Sequence, residues 1–584
     1  MLSAEPRPAD VRAQLDRMLA SSVFASSERQ LRFLRYVVEE TVAGRSGGIK
    51  ETVIASDVFG RAPSVFDPRT DSSVRVEARN LRARINEYYL TEGRFDPIVI
   101  ALPRGSYVPQ FHLRPGGPPN RAHWLRTIAL AALIAAVAGI VWWRIASPPR
   151  ASSIAVLPFL NLSGGGDDHI ADGIVEDLTT DLAEMPGLRV AARTSAFRFR
   201  DRNEDVRRIG RELGVATVLE GSVRRNGVTL RVSAQLIETG SGYHLWARTY
   251  ESGIAEAGET EAGILKAVSA ALRVTPGAQT VRNPPPEARD AYWRGRYLLA
   301  TWQRQGDSLA QFEEAVRRDP QYAEAWSALA LARATMVFQH EGPTAQLAIE
   351  ARDAVQHALA LDDASSEAWH ARALLDYAYD RDWPTAERSF QRALELNPNS
   401  APVRRAFALA LASRGRTREA LEQLEEVRRL DPLTLLATNT QGVVLYLGHR
   451  YDEAIALARS HLKIEPDYLM ANFLIAVCDV EKGKNAEALT EFRKVVAQYR
   501  SIQILGRYGN ALARAGRESE ARAVLAELQT LDKPAGEAGV GLAMVYAGLG
   551  DKANAVQALA QGAAAHQTDA AFNAVDPMLA PLHP

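Results

Sequence analysis

From residue 287 to about 575 of this 584-residue chain, sequence features return every 34 residues. Pro398, Pro432 and Pro466 are 34 apart, and Pro534 lies two further periods on. Ala386, Ala420, Ala454 and Ala488 keep the same step, continued by Ala521 and Ala555 at 33 and 34. Gly415, Gly448, Gly483, Gly516 and Gly550 stand five or six residues before the last five of these alanines. Thirty-four residues hold two short helices and a turn, too little to bury the apolar face of either. Such units are stable only when stacked, and stacking builds a superhelix with a concave groove. Trp326, Trp369 and Tyr446 fit packing positions inside the array and read as core. The groove itself suits an extended peptide or a partner helix.

Glycine at the turn, a small residue where helices cross and proline at the exit resemble the tetratricopeptide repeat. Earlier units end near Pro320 and Asp363, the second with an insertion around His340–Thr344. Roughly seven units and a degenerate last pair, Glu537–Ala564, fill residues 287–575.

A second feature is Thr127–Trp143, 17 residues without a formal charge. At 1.5 Å per residue it covers ~26 Å, close to a ~30 Å hydrocarbon layer if Arg126 and Arg144 snorkel from its ends. Trp124, Trp142 and Trp143 sit where an aromatic belt would be. The expectation is one transmembrane helix (127–143) inside a linker, residues 118–150. Arg114, Arg121 and Arg126 precede it and Arg144 and Arg150 follow, which favours the N-terminus inside. The chain would then be a single-pass protein of the bacterial inner membrane, its N-terminus cytoplasmic and its C-terminal domains periplasmic. Residues 1–150 carry 21 basic against 14 acidic side chains, the rest 48 against 56. A basic segment ahead of a span suggests an anionic partner on that side. The lone Cys478 excludes an internal disulfide, and scattered histidines with no HExxH or CxxC give no metal-ligand spacing. No catalytic residue, cofactor or metal is expected.

Residues 1–117 read as helices over Ala9–Leu19, Glu28–Val42 and Lys50–Phe59, then a fourth from Asp71 or Ser72 to about Leu90. In the second, Leu31, Leu34, Val38 and Val42 form the apolar stripe, widened by Phe33 and Val37. In the fourth, Val74, Ala78, Leu81, Ile85 and Tyr88 share one face. Arg75, Arg79, Arg82 and Asn86 share the neighbouring face. Strands over Pro97–Leu102 and Ser106–Phe111 flank a Pro103-Arg104-Gly105 turn. VRVEARNLRARI (Val74–Ile85) and IALPRGSYVPQF (Ile100–Phe111) resemble the winged helix-turn-helix domain of OmpR-type transcription regulators. The resemblance implies a DNA-binding domain, with the fourth helix in the major groove. It places Arg79 and Arg82, with Arg75 on the same stripe, against phosphates, Asn80 against bases and Arg104 on the wing. Two helices replace the family's opening sheet, the wing is one residue short, and Glu77 stands where a neutral or basic group is usual.

Residues 151–280 read as a small α/β domain with a hairpin at Arg225-Asn226-Gly227. IAVLPFLNLSG (Ile154–Gly164), ADGIVEDLTTDLAEMPGLRV (Ala171–Val190), IGRELGVATVLEGSVRRNG (Ile209–Gly227) and LIETGSGYHLWARTY (Leu236–Tyr250) closely resemble the TolB amino-terminal-like domain. That resemblance implies a binding or docking module without catalysis. Gly164–His169 invites comparison with a phosphate loop or a cyclase signature. No GK[ST] follows it, and its two carboxylates suit capping the next helix better than binding an anion.

The expected fold class is therefore multidomain: N-terminal winged helix, one transmembrane helix, small α/β domain and C-terminal all-α tetratricopeptide superhelix. Its expected function is that of a membrane-anchored one-component transcription regulator, similar in layout to ToxR/CadC-type proteins and not an enzyme. Double-stranded DNA, the inner membrane and a protein or peptide in the repeat groove are its expected partners, with a possible homodimer. The alternative is a periplasmic protein-interaction scaffold whose N-terminal domain binds protein rather than DNA.

Overall fold

The computed structural model describes residues 6–582 apart from 26, 63–65, 69, 115–151, 201, 203, 276–282, 301–304, 340–341, 464 and 533–535. Pro534 and part of the insertion at 340–344 thus lie outside the described residues. The chain divides into two compact units, Met1–Ser147 and Pro148–Pro584.

In the first unit, α1 (Pro8–Leu19), α2 (Glu28–Val42), α3 (Glu51–Asp57) and α4 (Ser73–Leu90) precede a hairpin of β1 (Ile98–Ala101) and β2 (Gln110–Leu113). The α4 face Val74, Ala78, Leu81, Ile85 and Tyr88 is buried along its whole length. In α2 the buried apolar residues are Phe33, Leu34, Val37 and Val38, while Leu31 and Val42 sit at the margins. The face is centred between positions 34 and 37, so a stripe through Leu31 and Val42 runs along its edge. The second strand begins four residues later than the sequence suggests, at Gln110 opposite Ala101. Pro109, with no N–H to give a ladder, ends the connection instead. The phenol of Tyr89 serves the open side of β1, donating to Ile98 O at 3.2 Å and accepting from Ile100 N at 2.8 Å.

In the second unit six strands form one sheet in the order β5-β3-β6-β7-β8, with β4 also on β6. They are β3 (Ser152–Val156), β4 (Leu160–Asn161), β5 (Leu188–Val190), β6 (Thr217–Asn226), β7 (Thr229–Glu238) and β8 (His244–Gly253). The first three pairings are parallel, and β6-β7-β8 is an antiparallel meander. Alternate residues face opposite layers. Ile154, Val156 and Leu219 pack under α5 (Asp168–Ala183) and α8 (Ala257–Leu272). Ala155, Leu157 and Val218 pack under α6 (Arg193–Ala196) and α7 (Val206–Leu213).

Eight helical hairpins follow among the described residues: α9/α10 (Pro286–Leu299, Gln305–Arg318), α11/α12 (Ala323–Gln339, Thr344–Leu361), α13/α14 (Ser366–Leu374, Trp383–Leu396) and α15/α16 (Ala401–Ala412, Thr417–Leu430). The others are α17/α18 (Leu435–Leu447, Tyr451–Leu462), α19/α20 (Leu469–Glu481, Asn485–Gln498), α21/α22 (Ile502–Arg514, Glu518–Leu531) and α23/α24 (Gly539–Gly548, Lys552–Ala564). The periodic alanines 386, 420, 454, 488, 521 and 555 are all buried where helices cross. Five residues before each alanine the chain enters the left-handed region: at Gly415, Gly483, Gly516 and Gly550, but at Arg381 and His449 in two hairpins. Gly448 is displaced from that site because a Cβ on it would lie 2.5 Å from Thr417 Cγ2. A side chain in this conformation costs roughly 1–2 kcal/mol, so Arg381 and His449 are held there by their surroundings.

The α/β part and the array form one body. Asn399, in the loop before α15, accepts from Val190 N at 3.2 Å and donates to Leu188 O and Ala183 O at 2.8 Å. One loop further on, Leu430 O accepts from Ala192 N at 2.8 Å, and Asp431 accepts from the hydroxyls of Thr194 and Ser195. On the other side α9 lies on α5, its Trp293 indole donating to Asp177 at 2.8 Å.

The expected fold class requires one correction. Among the described residues no helix is long and apolar enough to cross a membrane. The stretch 127–143 lies outside them. The two helices that reach 18 residues bury only one face each; Ser73–Leu90 carries four arginines and two glutamates, and Thr344–Leu361 has Glu350, Arg352 and Asp353 at its middle. The described residues are mainly a helical-repeat superhelix, and no helix among them is a transmembrane one.

Two consequences are measurable. A Cβ on Gly173 of α5 would clash with the edge of the Trp293 indole at Cδ1 and Cγ, and that ring is fully buried. Gly173→Ala is expected to cost about 1–3 kcal/mol by overpacking and to lower the thermal midpoint of the full chain. At the same junction burial pushes the Asp177, Asp181 and Glu261 carboxyls up. Burial of its carboxyl, with Asp362, Glu367 and Glu324 nearby, raises Glu184 to about 7 although the residue as a whole is exposed. A folded-state pKa above the unfolded one contributes stability at low pH that is lost as pH rises through the folded value. Glu184→Gln should therefore raise the melting temperature at pH 8, with the gap to wild type shrinking as pH falls through 7 and closing below about pH 4.5.

Candidate functional site

Two places assemble the residue types from which binding is built. In the first unit the stripe on α4 separates into different environments. Arg82 is committed to the hairpin: its Nε lies 3.1 and 3.2 Å from Leu102 O and Pro103 O, and its Nη2 donates to Ser106 O at 2.9 Å. Arg75 pairs with Glu51 at 3.1 Å and also donates to Pro68 O, which fastens α4 to α3. Arg79 is exposed, as is Arg104 beside Gly105 at the turn (φ +83°), and neither guanidinium has a polar partner among the described residues. Asn80 is half-buried beside Arg79. Of the five residues expected to meet DNA, Arg79 and Arg104 thus present unengaged charge, while Arg75 and Arg82 hold the unit together.

The second place is the groove of the array. First helices of successive hairpins lie side by side and form its inner wall. Across that wall runs the chain's own C-terminal segment, with 3₁₀ turns at Thr568–Phe572 and Pro577–Leu582. Asp576 is its polar anchor. Tyr446 Oη of α17 donates to Asp576 Oδ1 at 3.0 Å, and Arg507 Nη2 of α21 donates to Oδ2 at 2.9 Å. Asp576 is 2% exposed, and Met578 and Leu579 behind it are as deeply buried. Burial and the Asp576 carboxylate push the Tyr446 phenol well above its usual range. Breaking one side of a buried, hydrogen-bonded ion pair costs about 3–5 kcal/mol, because the remaining charge is left uncompensated.

A clasp holds the start of the segment. Arg381, in left-handed conformation where other hairpins have glycine, donates to Ala563 O at 3.2 Å and Gln567 O at 3.3 Å. His566, also left-handed, stacks on Tyr379 at 3.9 Å between ring centroids, its Nδ1 2.8 Å from Tyr379 O. A cavity of about 260 Å³ remains beside the segment, lined by Phe338, Leu409 and Val443 from the wall and by Thr568 and Phe572 from the tail.

Sequence reasoning placed Tyr446 in the array core. It is buried, and its hydroxyl also contacts the groove's occupant. Arg507 and Asp576 carry no periodic signal and were not foreseeable. Arg381 was: it breaks the rule of glycine five residues before the repeat alanine.

Comparison with known proteins bears on the array. Residues 405–468 match the profile of the family described as tetratricopeptide repeat. A protein of Rhizobium meliloti named putative adenylate cyclase 3 is 35% identical over 236 residues, 39% of this chain and 40% of that protein. The human protein O-mannosyl-transferase TMTC3 is 21% identical over 256 residues, 43% of this chain and 27% of that protein. The chain thus spans less than half the length of either relative. A tetratricopeptide repeat protein from Parabacteroides merdae superposes with a TM-score of 0.35 at 12% identity, covering 44% of this chain and 98% of that one. The C-terminal array carries tetratricopeptide repeats.

Proposed function

We propose that this protein is a protein-interaction scaffold whose repeat groove docks an extended segment of a partner. The observation that carries this reading is the occupied groove: an irregular stretch of chain lies across the inner wall, fixed by a buried carboxylate anchor. Backbone in that position must find polar partners: the tail's own turns supply most of them, and Arg381 adds a donor to Gln567 O. The α/β part supports the same reading as a rigid platform, because Asn399 and Asp431 fasten it to the array. Val443 lines the cavity beside the tail and takes no part in the hydrogen bonds of the anchor or the clasp. Val443→Arg in the tagged full chain should reduce a stoichiometric co-purifying partner at least tenfold. Recovery of the same partners at the same stoichiometry from both chains would remove the groove from this function.

A second reading belongs to the first unit, and one observation favours it. The hairpin is latched by Arg82 so that Arg79 and Arg104 keep their charge unspent, as a helix and wing resting on double-stranded DNA would require. Transcription regulation would follow from sequence-selective binding of this kind. Duplex binding by the full chain is expected to weaken roughly tenfold in Arg79→Ala/Arg104→Ala, with the salt slope smaller by about two. Arg82→Ala should instead lower the melting temperature of the unit. An unchanged salt slope in the double variant would overturn this reading, leaving the first unit as a second protein-binding surface.

A further inference from the structure

We infer that residues 566–582 are a resident stand-in for the partner, and that the groove selects a segment carrying an aromatic residue, a carboxylate four positions on and two apolar residues just beyond it. The inference rests on the scaffold reading of the groove and states what it recognises. Phe572, Asp576, Met578 and Leu579 make this pattern in the tail. Phe572 borders the cavity against Phe338, Leu409 and Val443, Asp576 meets Tyr446 and Arg507, and Met578 and Leu579 are buried behind it. Asp576 also accepts from Met578 N at 3.0 Å, which turns the chain so that both apolar side chains point inward.

Three features mark the tail as held in place yet replaceable. The clasp uses two residues in an unfavourable backbone conformation, Arg381 and His566, so part of the contact energy is offset by strain. The Nε of Arg381 is buried without a hydrogen-bond partner. The tail also fills the groove incompletely: it leaves a cavity of about 260 Å³ whose wall joins Phe338, Leu409 and Val443 to the amides of Gln339 and Gln503. A partner with a bulkier apolar residue in the place of Thr568 would cover more of Phe338, Leu409 and Val443, and exchange would favour it.

The test uses the full chain and a fluorescent synthetic peptide of residues 566–582. Two changes in the chain release its own tail: Arg381→Gly, which restores the glycine found in other hairpins and so leaves the turn able to form, and Asp576→Asn, which removes the anchor. The doubly changed chain is expected to bind the wild-type peptide at least tenfold more tightly than the unmodified chain does. The same peptide with asparagine in place of Asp576 should bind at least tenfold more weakly. Adding Arg507→Ala to the released chain should abolish the difference between the two peptides. Limited proteolysis within 566–582 reports release independently, and Arg381→Gly alone supplies a variant expected to keep the fold. Equal peptide binding by the unmodified and released chains, with the tail shown by proteolysis to be free, overturns the inference. Indifference to the peptide's carboxylate does so as well. Either result leaves the partner lost on Val443→Arg as the separate measure of the scaffold reading.

Discussion

A strand at the rim of a sheet carries backbone groups that must be paired, covered or wetted. At β5 this need is met by the side-chain amide of Asn399, which accepts from Val190 N and donates to Leu188 O as a neighbouring strand would. Leu430 O continues the edge at Ala192. The second unit depends on this substitution, because it turns an α/β layer and a solenoid into one body. With the sheet edge fixed on the loops before α15 and α17, and α9 fixed on α5 by Trp293, the array is held at two separated points. A solenoid held only through nearest neighbours bends easily along its length. One fastened at two places presents a groove of defined width.

The same economy of polar groups organises the first unit. Tyr89 serves the outer side of β1, and Arg82 gathers three carbonyls of the connection between the strands. An arginine can do this because its fork presents several donors in fixed geometry, which lysine could not. The stripe on α4 is therefore two sets of residues at one spacing, one structural and one exposed. Periodicity alone does not separate them.

Where sequence reasoning succeeded, a period was imposed by packing. The buried face of α4, the crossing alanines and the helix pairs of the array all follow from side chains having to recur at 3.6 or 34 residues. Even the six-residue gap between Gly448 and Ala454 was informative: the left-handed residue falls five before the alanine, at His449, and the glycine serves a close approach to Thr417 instead. What escaped lies outside any period. Regular steps extend the face of α2 to Leu31 and Val42, whereas Phe33 and Val37 share the core equally with Leu34 and Val38. The second hairpin strand was begun too early because Pro109 was not read as a stop. Asp576 and Arg507 meet across 69 positions of sequence, and only the curvature of the array brings them together.

Residues 566–582 follow every helix of the groove they occupy. A chain growing at roughly 5–20 residues per second completes the inner wall before its resident segment exists. For an interval on the order of seconds each newly made groove is open, with the Arg507 and Tyr446 donors formed and no Asp576 to receive them. A partner present at the site of synthesis meets no competitor during that time, whereas one arriving later must displace a segment tethered to the wall at high effective concentration. Association during synthesis and association afterwards are thus kinetically distinct, through nothing more than the order in which the wall and its occupant are encoded.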